Sequence, residues 1–258
     1  MNTPTQIADL IARNALFVVN HSGGKDSQAM MIKLLEIIPA SQMLVVHASL
    51  GEMEWDGALE LAQQQAADAG APFLVARAEK SFLDMVERRF ASRPEVPSWP
   101  SASHRQCTSD LKRGPIEREV RRYMKARGMT LVVSCTGIRA AESVSRSKLS
   151  PLKANAAQSK AGRTWVEWCP IFELSTAEVF ATIAGAGQQP HAAYAAGNER
   201  LSCVFCIMGS KRDIARGAAA RPELFARYVE LEERTGYTMH MSRKSLTQLV
   251  AEASALTA

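Results

Sequence analysis

Short apolar runs alternate with longer segments of helical periodicity along the first two-thirds of the chain. Runs of this kind, bounded by glycine, proline and polar residues, are typical of buried strands, and the segments between them carry apolar residues at helical spacing. Strands are predicted at residues 16–20, 43–48, 72–76, 130–135 and 164–168. Helices are predicted at residues 28–38, 55–69, 81–90, 109–127 and 175–184.

The alternation of strands and helices predicts an α/β fold with three layers, a parallel sheet covered by helices on both faces. Ser175 and Glu178 form a capping-box pattern at the start of the last of these helices. After residue 188 the pattern changes to short helices without strands, such as residues 222–235 and 242–253. We therefore expect an α/β domain over residues 1–188 and a C-terminal helical extension over residues 189–258 that packs on it.

A glycine-rich turn, Ser22-Gly23-Gly24-Lys25-Asp26-Ser27, directly follows the first predicted strand. Two glycines let the backbone approach an anion closely, and the first N–H groups of the following helix point toward it. Lys25 adds a mobile positive charge and Ser27 adds a hydroxyl group. The spacing differs from the Walker loop, in which four residues separate the first glycine from Gly-Lys-Ser/Thr. The turn predicts a phosphate site, with a purely structural Gly-Gly turn as the alternative.

A second polar segment follows the predicted strand at residues 130–135. It contains Gly137, Arg139, Glu142 and Arg146. Arginine side chains make forked contacts with phosphate oxygens, and Glu142 stands four residues from Arg146, the spacing of a helical ion pair. Because ligands of parallel α/β sheets bind beyond the carboxyl ends of the strands, this segment and the glycine-rich turn are expected to share a site. A surface lattice of ion pairs is the alternative.

The cysteines include one close pair, Cys203 and Cys206. A Cys-x-x-Cys pair supplies two sulfurs to one metal, and a tetrahedral site needs two further ligands. Cys107 is the first choice for the third ligand and Cys169 is a candidate for the fourth, whereas Cys135 lies in a predicted strand and is expected in the core. Thiolates suit zinc or an iron–sulfur cluster, and the sequence does not choose between them. A redox dithiol, a structural pair or a merely buried Cys107 remain open alternatives.

Lys112 stands about one helical turn after Thr108, at the start of the predicted helix 109–127. We expect it to point toward the strand ends, and a helix N-terminus with neighbouring cations favours the thiolate of Cys107. The same helix carries a cluster of basic residues, which are Lys112, Arg113, Arg118, Arg121, Arg122, Lys125 and Arg127. This cluster predicts either a surface that faces phosphates or a solvated helix face.

Composition narrows the class of protein. The 258 residues, 47% of them hydrophobic, suffice for one substantial core, and a net charge of +5 with a pI near 9.0 is compatible with anionic partners. No apolar run approaches the roughly 20 residues of a membrane span. The first 13 residues lack the layout of a secretory signal, and five cysteines do not match a disulfide framework. We therefore expect a soluble, cytoplasmic protein.

Together these motifs resemble the phosphoadenosine phosphosulfate (PAPS) reductase family of the PP-loop ATP pyrophosphatase superfamily. The resemblance covers about residues 16–205 and depends on the order and spacing of SGGKDS, CTSDLK, GIRAAES and RLSCVFC. It implies a PP-loop nucleotide-binding domain in which a nucleotide lies across the strand ends. The phosphates would lie on residues 22–27 and the adenine near Ser49, Leu50 and Gly51. In several sulfur-transfer members, cysteines around a Cys-x-x-Cys pair hold a [4Fe-4S] cluster.

Three features depart from the reductase pattern. Reductases carry a nucleophilic cysteine in a C-terminal tail, whereas no cysteine follows Cys206 here. Reductases tend to have a degraded loop, whereas this loop is intact and includes Lys25 and Asp26. Ser49 stands where members often carry aspartate. The first two differences favour the sulfur-transfer members, which include DNA phosphorothioation proteins and tRNA thiolation enzymes.

The preferred hypothesis is ATP-dependent adenylation of an acceptor, coupled to sulfur transfer at a cysteine-bound metal or iron–sulfur site. Lys25, Asp26, Lys112 and Arg139 are the expected catalytic residues, with Mg²⁺ near Asp26. The acceptor is expected among nucleic acids, a sulfur-donor protein is a further candidate partner, and the oligomeric state is left open. One alternative is a sulfonucleotide reductase acting on PAPS or adenylyl sulfate, with an existing cysteine in place of the tail thiol. The other is a non-catalytic nucleotide-binding subunit.

Overall fold

The computed structural model describes residues 4–255, and within them six strands form one sheet. The strands are β1 (Leu16–Asn20), β2 (Met43–Ser49), β3 (Phe73–Arg77), β4 (Leu131–Cys135), β5 (Leu152–Ala154) and β6 (Thr164–Trp168). Their order across the sheet is β3-β2-β1-β4-β6-β5. Strand β1 pairs in parallel with β2 and β4, and β4 pairs in parallel with β6. From β1 the chain adds β2 and β3 on one side, and it then adds β4 on the other side of β1. Ligands of such sheets bind at this switch point, beyond the carboxyl ends of β1 and β4.

The helices fill the connections and most of the last quarter of the chain. In chain order they are α1 (Thr5–Ala12), α2 (Lys25–Leu35), α3 (Ala58–Asp68), α4 (Phe82–Ser92), α5 (Gln106–Thr108), α6 (Gly114–Ala126), α7 (Val144–Ser147), α8 (Thr176–Gly185), α9 (Ala192–Ala195), α10 (Lys211–Ala220), α11 (Pro222–Thr235) and α12 (Leu246–Ala255). A π-helical turn at Ser109–Arg113 joins α5 to α6. Because Pro115 has no N–H to donate to the preceding turn, a regular α-helical ladder is not available at this point. None of the helices in residues 4–255 is long and apolar enough to span a bilayer.

The α/β class predicted from the sequence is confirmed, with one correction to the sheet. Strand β5 was not predicted, and it pairs antiparallel with β6 at the edge of the sheet. It has three residues, of which Lys153 and Ala154 are exposed, so it carries no apolar run by which it could be recognised. Helix α10 was also missed, whereas the capping box of Ser175 and Glu178 is present at the start of α8.

Two hydrophobic cores lie on opposite faces of the sheet. Phe17 and Val19 of β1 belong to a core that also contains residues of α1, α2 and α8, whereas Leu16 and Val18 belong to a core with residues of α6. Successive residues of a strand point to opposite faces, so this alternation along β1 separates the two cores. The sheet is therefore the middle of three layers.

Among the described residues, the chain divides into two compact units. The first unit contains residues 4–48, 57–76 and 116–191, and the second contains residues 49–56, 77–115 and 192–255. The sequence predicted a boundary after residue 188, and the last change from the first unit to the second comes after residue 191. The second unit also takes two segments from the first half of the chain, because these contribute residues such as Leu83 and Trp99 to a core with Phe205 and Tyr228. Helical periodicity shows that a residue is buried, but not in which core.

Candidate functional site

The glycine-rich turn leads from the end of β1 to the start of α2 and is closed by its own hydrogen bonds. The Ser27 hydroxyl donates to the Gly24 carbonyl oxygen (2.8 Å), and Ser27 Oγ accepts the Ser22 N–H (3.2 Å). Ser27 is buried, and its hydroxyl group closes the loop. Helix α2 begins at Lys25, and the N–H groups of a first helical turn have no acceptor within the helix. The loop thus ends in a helix N-terminus suited to an anion.

Two glycines are required by the close approach of backbone segments. Gly23 has a φ of +75°, and a Cβ atom there would lie 2.7 Å from Ala58 Cα and closer still to the Ala58 carbonyl oxygen. A Cβ atom on Gly137 would lie 2.9 Å from the backbone C and O atoms of Asp26. The segment after β4 therefore packs directly on the glycine loop, as expected from their positions at neighbouring strand ends.

Asp26 holds two buried cations at the glycine loop. Lys25 Nζ lies 3.2 Å from Asp26 Oδ2, and Arg139 Nε lies 2.7 Å from Asp26 Oδ1. Only 5% of Lys25 and 3% of Arg139 are exposed, so Lys25 is not the mobile charge that the sequence predicted. The arrangement concentrates positive charge beside the start of α2.

The other donors of Arg139 are also used within the protein. Arg139 Nη1 donates to the Leu174 carbonyl oxygen (3.0 Å) and Nη2 donates to Thr176 Oγ1 (3.3 Å). In this structure all three guanidinium nitrogens therefore donate to protein oxygens and the group positions Asp26, whereas the sequence predicted forked contacts with phosphate. Glu142 accepts the Arg139 backbone N–H (2.9 Å) and forms the expected ion pair with Arg146, whose side chain is 30% exposed.

A buried polar relay next to the loop was missed by the sequence analysis. His21 Nδ1 accepts the Gly23 N–H (3.1 Å), and His21 Nε2 lies 2.5 Å from Gln65 Oε1. Gln65 Nε2 donates to the Gln28 carbonyl oxygen (3.2 Å) and to Gln188 Oε1 (2.9 Å). Burial lowers the pKa of His21 from 6.5 to about 4, and the hydrogen bond with Gln65 opposes this effect. The ring is therefore neutral at physiological pH.

In the second unit, the segment after β2 carries the residues that the resemblance associates with adenine. Ser49 is the last residue of β2, Leu50 follows it, and Gly51 has a φ of +61° at the start of a 3₁₀ turn. The Gly51 N–H donates to Ser49 Oγ (3.4 Å). A left-handed residue at Gly51 lets the chain turn sharply after the strand.

Three thiols and one lysine form a second group of titratable side chains, also in the second unit. Cys107, Cys203 and Cys206 are all half-buried. Burial raises the pKa of Cys107 and raises that of Cys203 to about 11, while Lys112 opposes both changes. The pKa of Lys112 is itself raised, first by Cys203 and then by Cys206, Cys107 and Glu54, against the effect of burial. The sequence placed Lys112 near the nucleotide, whereas its neighbours identified here are the thiols and Glu54.

The Cys-x-x-Cys segment is held by the backbone and by aromatic packing. The Val204 N–H donates to the Met53 carbonyl oxygen (2.8 Å), and Tyr228 Oη donates to Met53 Sδ (2.9 Å). The rings of Phe205 and Tyr228 are 5.0 Å apart, and Trp99 stacks on Tyr228 at 5.9 Å. The two cysteines therefore flank a pair of buried residues that anchor the segment in the core of the second unit.

Residues 4–255 contain no group of three His, Cys, Asp or Glu side chains arranged to hold one metal ion. Cys169 belongs to the first unit, where its sulfur lies 3.4 Å from Thr136 Oγ1 and burial raises its pKa. Cys135 is buried in the core of the same unit, as expected. The predicted ligand set of Cys107, Cys203, Cys206 and Cys169 remains a prediction.

Comparison with known proteins identifies the family. The model of the phosphoadenosine phosphosulfate reductase domain matches residues 16–208. An uncharacterized protein of Methanocaldococcus jannaschii is 22% identical over 231 residues, which cover 88% of this chain and 50% of that protein. The chain thus spans about half the length of this curated relative.

Two solved structures align with the chain at low identity. One is a PAPS reductase from Candida auris in a phosphate complex, 13% identical, covering 78% of this chain and 88% of that chain with a TM-score of 0.49. Another is the FMN adenylyltransferase of Candida glabrata with FAD and inorganic pyrophosphate, 10% identical, covering 74% of this chain and 55% of that chain with a TM-score of 0.46. The assignment depends on the family model, which matches most of the chain. The chain belongs to the PAPS reductase family.

Proposed function

We propose that this protein is an ATP-dependent enzyme that adenylates an acceptor and then replaces the adenylyl group with sulfur. The observation that carries the proposal is the pair of ion pairs at the glycine loop, in which Asp26 contacts both Lys25 and Arg139. Buried cations beside a helix N-terminus favour a polyphosphate as ligand. The resemblance associates an intact loop of this kind with members that split ATP.

In the proposed first step, an acceptor oxygen attacks the α-phosphorus of ATP. A new oxygen–phosphorus bond forms, and the bond to the leaving pyrophosphate breaks. Lys25 and the first turn of α2 would hold the β- and γ-phosphates, and Asp26, oriented by Arg139, would face the Mg²⁺ that accompanies them. In the second step, a sulfur nucleophile would displace AMP from the acceptor. The prediction that Lys112 stabilises charge at the α-phosphate is part of this proposal.

The thiol group would serve the second step. The three thiols that raise the pKa of Lys112 form a soft donor set, which suits an iron–sulfur cluster or zinc. We propose a four-iron cluster at these thiols, with zinc as the alternative. Cys107, Cys203 and Cys206 would hold the cluster, with Cys169 as the candidate fourth ligand, and when bound it would carry the sulfur that is transferred. The cytoplasm, in which thiols stay reduced, is the compartment we propose.

The proposed acceptor class is nucleic acid, bound along the basic residues of α6. Arg122 leaves 69% of its side chain exposed. Arg118 and Arg122 each lie 2.8 Å from Glu119, and the Arg127 guanidinium lies 3.7 Å from the centre of the Tyr123 ring. Because the helix neutralises part of its own charge, binding through this face would be modest and would weaken steeply with salt.

Thermal unfolding of the anaerobically purified protein tests the proposed function. Saturating Mg-ATP, at about 100 times its Kd, is expected to stabilise the fold by about 2.7 kcal/mol, which raises Tm by several degrees. PAPS is expected to have a smaller effect. Asp26→Asn should remove most of the response to Mg-ATP, because it removes the negative charge that pairs with both cations.

Lys33→Ala is the matched control for this test. Lys33 lies on the same helix, is more exposed than Lys25, and pairs only locally with Glu36 (2.7 Å) in the contacts described. We expect it to respond to Mg-ATP like the wild type. Stabilisation by PAPS and not by Mg-ATP would contradict the proposed function and would favour a sulfonucleotide reductase that uses an existing cysteine.

A further inference from the structure

His21 immediately precedes the glycine loop and uses both of its ring nitrogens within the buried relay. Only 2% of the surface of His21 is exposed to solvent. Nδ1 is 3.1 Å from the Gly23 nitrogen, and Nε2 is 2.5 Å from Gln65 Oε1. The backbone of His21 is also held, because its N–H donates to the Val46 carbonyl oxygen (2.9 Å) and its own carbonyl oxygen lies 2.9 Å from His47 Nδ1. Few rearrangements are open to a ring held in this way.

The two contacts together define the tautomer of the ring. A backbone N–H can only donate, so Nδ1 must be the acceptor for Gly23. The proton of the neutral ring is then on Nε2, which donates to Gln65 Oε1. An imidazolium, or the tautomer with its proton on Nδ1, would place two donors against each other at Gly23.

The relay beyond Gln65 fixes the orientation of its amide. The Gln65 amide nitrogen donates to the Gln28 carbonyl oxygen and to Gln188 Oε1, so its oxygen faces His21. Gln28 Nε2 donates to the same Gln188 oxygen (3.0 Å) and to the Gln189 carbonyl oxygen (3.0 Å). Residues of α2, of α3 and of the segment after α8 thereby combine to present one acceptor to His21.

We propose that His21 is a positioning residue for phosphate binding: it accepts the Gly23 N–H and thereby sets the orientation of the glycine loop. This inference rests on the proposed function, in which the loop binds the phosphates of a nucleotide. Gly23 has a φ of +75° and packs on Ala58, so rotation of its peptide would redirect the amides that follow. His21 would act through the loop and would not touch the ligand.

Two substitutions separate the contacts of the two ring nitrogens. In His21→Asn the side-chain oxygen can take the position of Nδ1 and accept the Gly23 N–H, while the link to Gln65 is lost. In His21→Gln the amide nitrogen can take the position of Nε2 and reach Gln65, while the acceptor for Gly23 is lost. Binding of magnesium pyrophosphate to the full chain is measured by calorimetry, and unfolding of each variant is measured in parallel.

We expect His21→Asn to bind within about threefold of the wild type and His21→Gln to bind about tenfold more weakly, the range set by one hydrogen bond. A residue with only a structural role would lower stability without this difference in affinity between the variants. Equal affinities of the two variants would overturn the inference.

A second measurement tests, without any ligand, the tautomer on which the inference depends. Nitrogen NMR of the ligand-free protein reports the tautomer of His21, for which we expect the proton on Nε2. A proton on Nδ1 would overturn the inference even if both variants bind weakly. If the wild type binds no pyrophosphate or Mg-ATP, the proposed function and the role in phosphate binding both fail, and the tautomer then shows only whether His21 orients the loop.

Discussion

The glycine loop and the thiol group differ in how much of each site is formed by the protein alone. At the loop, Asp26, Lys25 and Arg139 are already paired, and Ser27 closes the turn. At the thiol group, Cys107, Cys203 and Cys206 all raise the pKa of Lys112, and residues 4–255 contain no three donors arranged around a single ion. The residues of the loop are held by contacts with one another, whereas the thiols are the donors for the cluster proposed above.

This difference indicates where each site is vulnerable. A preformed loop depends on backbone packing, so small changes of shape are expected to disable it even when every polar side chain is kept. A set of thiols depends on the number of donors, so loss of one sulfur is expected to matter more than changes of shape nearby. Substitutions at the two sites should therefore have separate effects.

The largest effect is expected for Gly23→Ala. The added Cβ would collide with the backbone of Ala58, which cannot move as a side chain can, and a φ of +75° is unfavourable for alanine. We expect calorimetry to show no measurable binding of magnesium pyrophosphate. Gly70→Ala is the matched control, because Gly70 has a φ of +64° but no atom within 4 Å of an added Cβ. A folded Gly23→Ala variant that binds like this control would show that the loop is not preformed.

Cys203→Ser is expected to reduce cluster binding without reducing the affinity for magnesium pyrophosphate. Anaerobic reconstitution followed by iron and sulfide analysis should show loss of most of the cluster, because a hydroxyl group is a poor substitute for a thiolate ligand. Affinity for magnesium pyrophosphate should stay within about twofold of the wild type, since Cys203 takes no part in the proposed binding of the phosphates.

Two other cysteines sharpen this result. Cys135→Ala should keep the cluster and lose stability, because Cys135 is a buried core thiol. Cys169→Ser decides whether Cys169 is the fourth ligand. Full retention of iron in Cys203→Ser would contradict the assignment of the thiol group as a cluster site.

The smallest effect is expected in the pH dependence of stability. The pKa of His21 falls from 6.5 to about 4 on folding, mainly through burial. As the pH drops below 6.5, the unfolded chain binds a proton that the folded chain does not. His21 therefore destabilises the fold progressively between pH 6.5 and 4, by about 3 kcal/mol at most.

Chemical unfolding across this range should show a shallower loss of stability in His21→Asn than in the wild type. The comparison of the two proteins removes the common contribution of the carboxylates, which also titrate there. Parallel stability curves for wild type and variant would contradict the assignment of a buried, neutral His21.

Much of the fold follows from local patterns. The bounds of β1 and β6 were predicted as the structure has them, because β1 is an apolar run that ends at Asn20 and β6 is rich in aromatic and β-branched residues. Strand β5 has no such pattern and depends on pairing with β6. Helix α6 was predicted as part of one continuous helix, without the π-helical turn that precedes it.

The glycines of the candidate site were predictable from the sequence, whereas the contacts of its buried polar residues were not. Gly23 and Gly137 were recognised because glycine at a strand end carries a strong local signal. The burial of Arg139 depends on contacts with Asp26 and Thr176, which lie 113 and 37 positions away in the sequence. The partner of His21 lies 44 positions away, and a glutamine gives no local indication of its partner. The position of His21 directly before the loop was the one signal that the sequence offered.

Competition between nucleotide and pyrophosphate tests the central claim most directly. The reconstituted protein is titrated with Mg-ATP and with PAPS, each with and without saturating magnesium pyrophosphate. We expect Mg-ATP to bind and pyrophosphate to block it, because the β- and γ-phosphates would occupy the same loop. Binding of PAPS alone, or binding of Mg-ATP that pyrophosphate does not affect, would contradict the claim that the loop of this protein holds the phosphates of ATP.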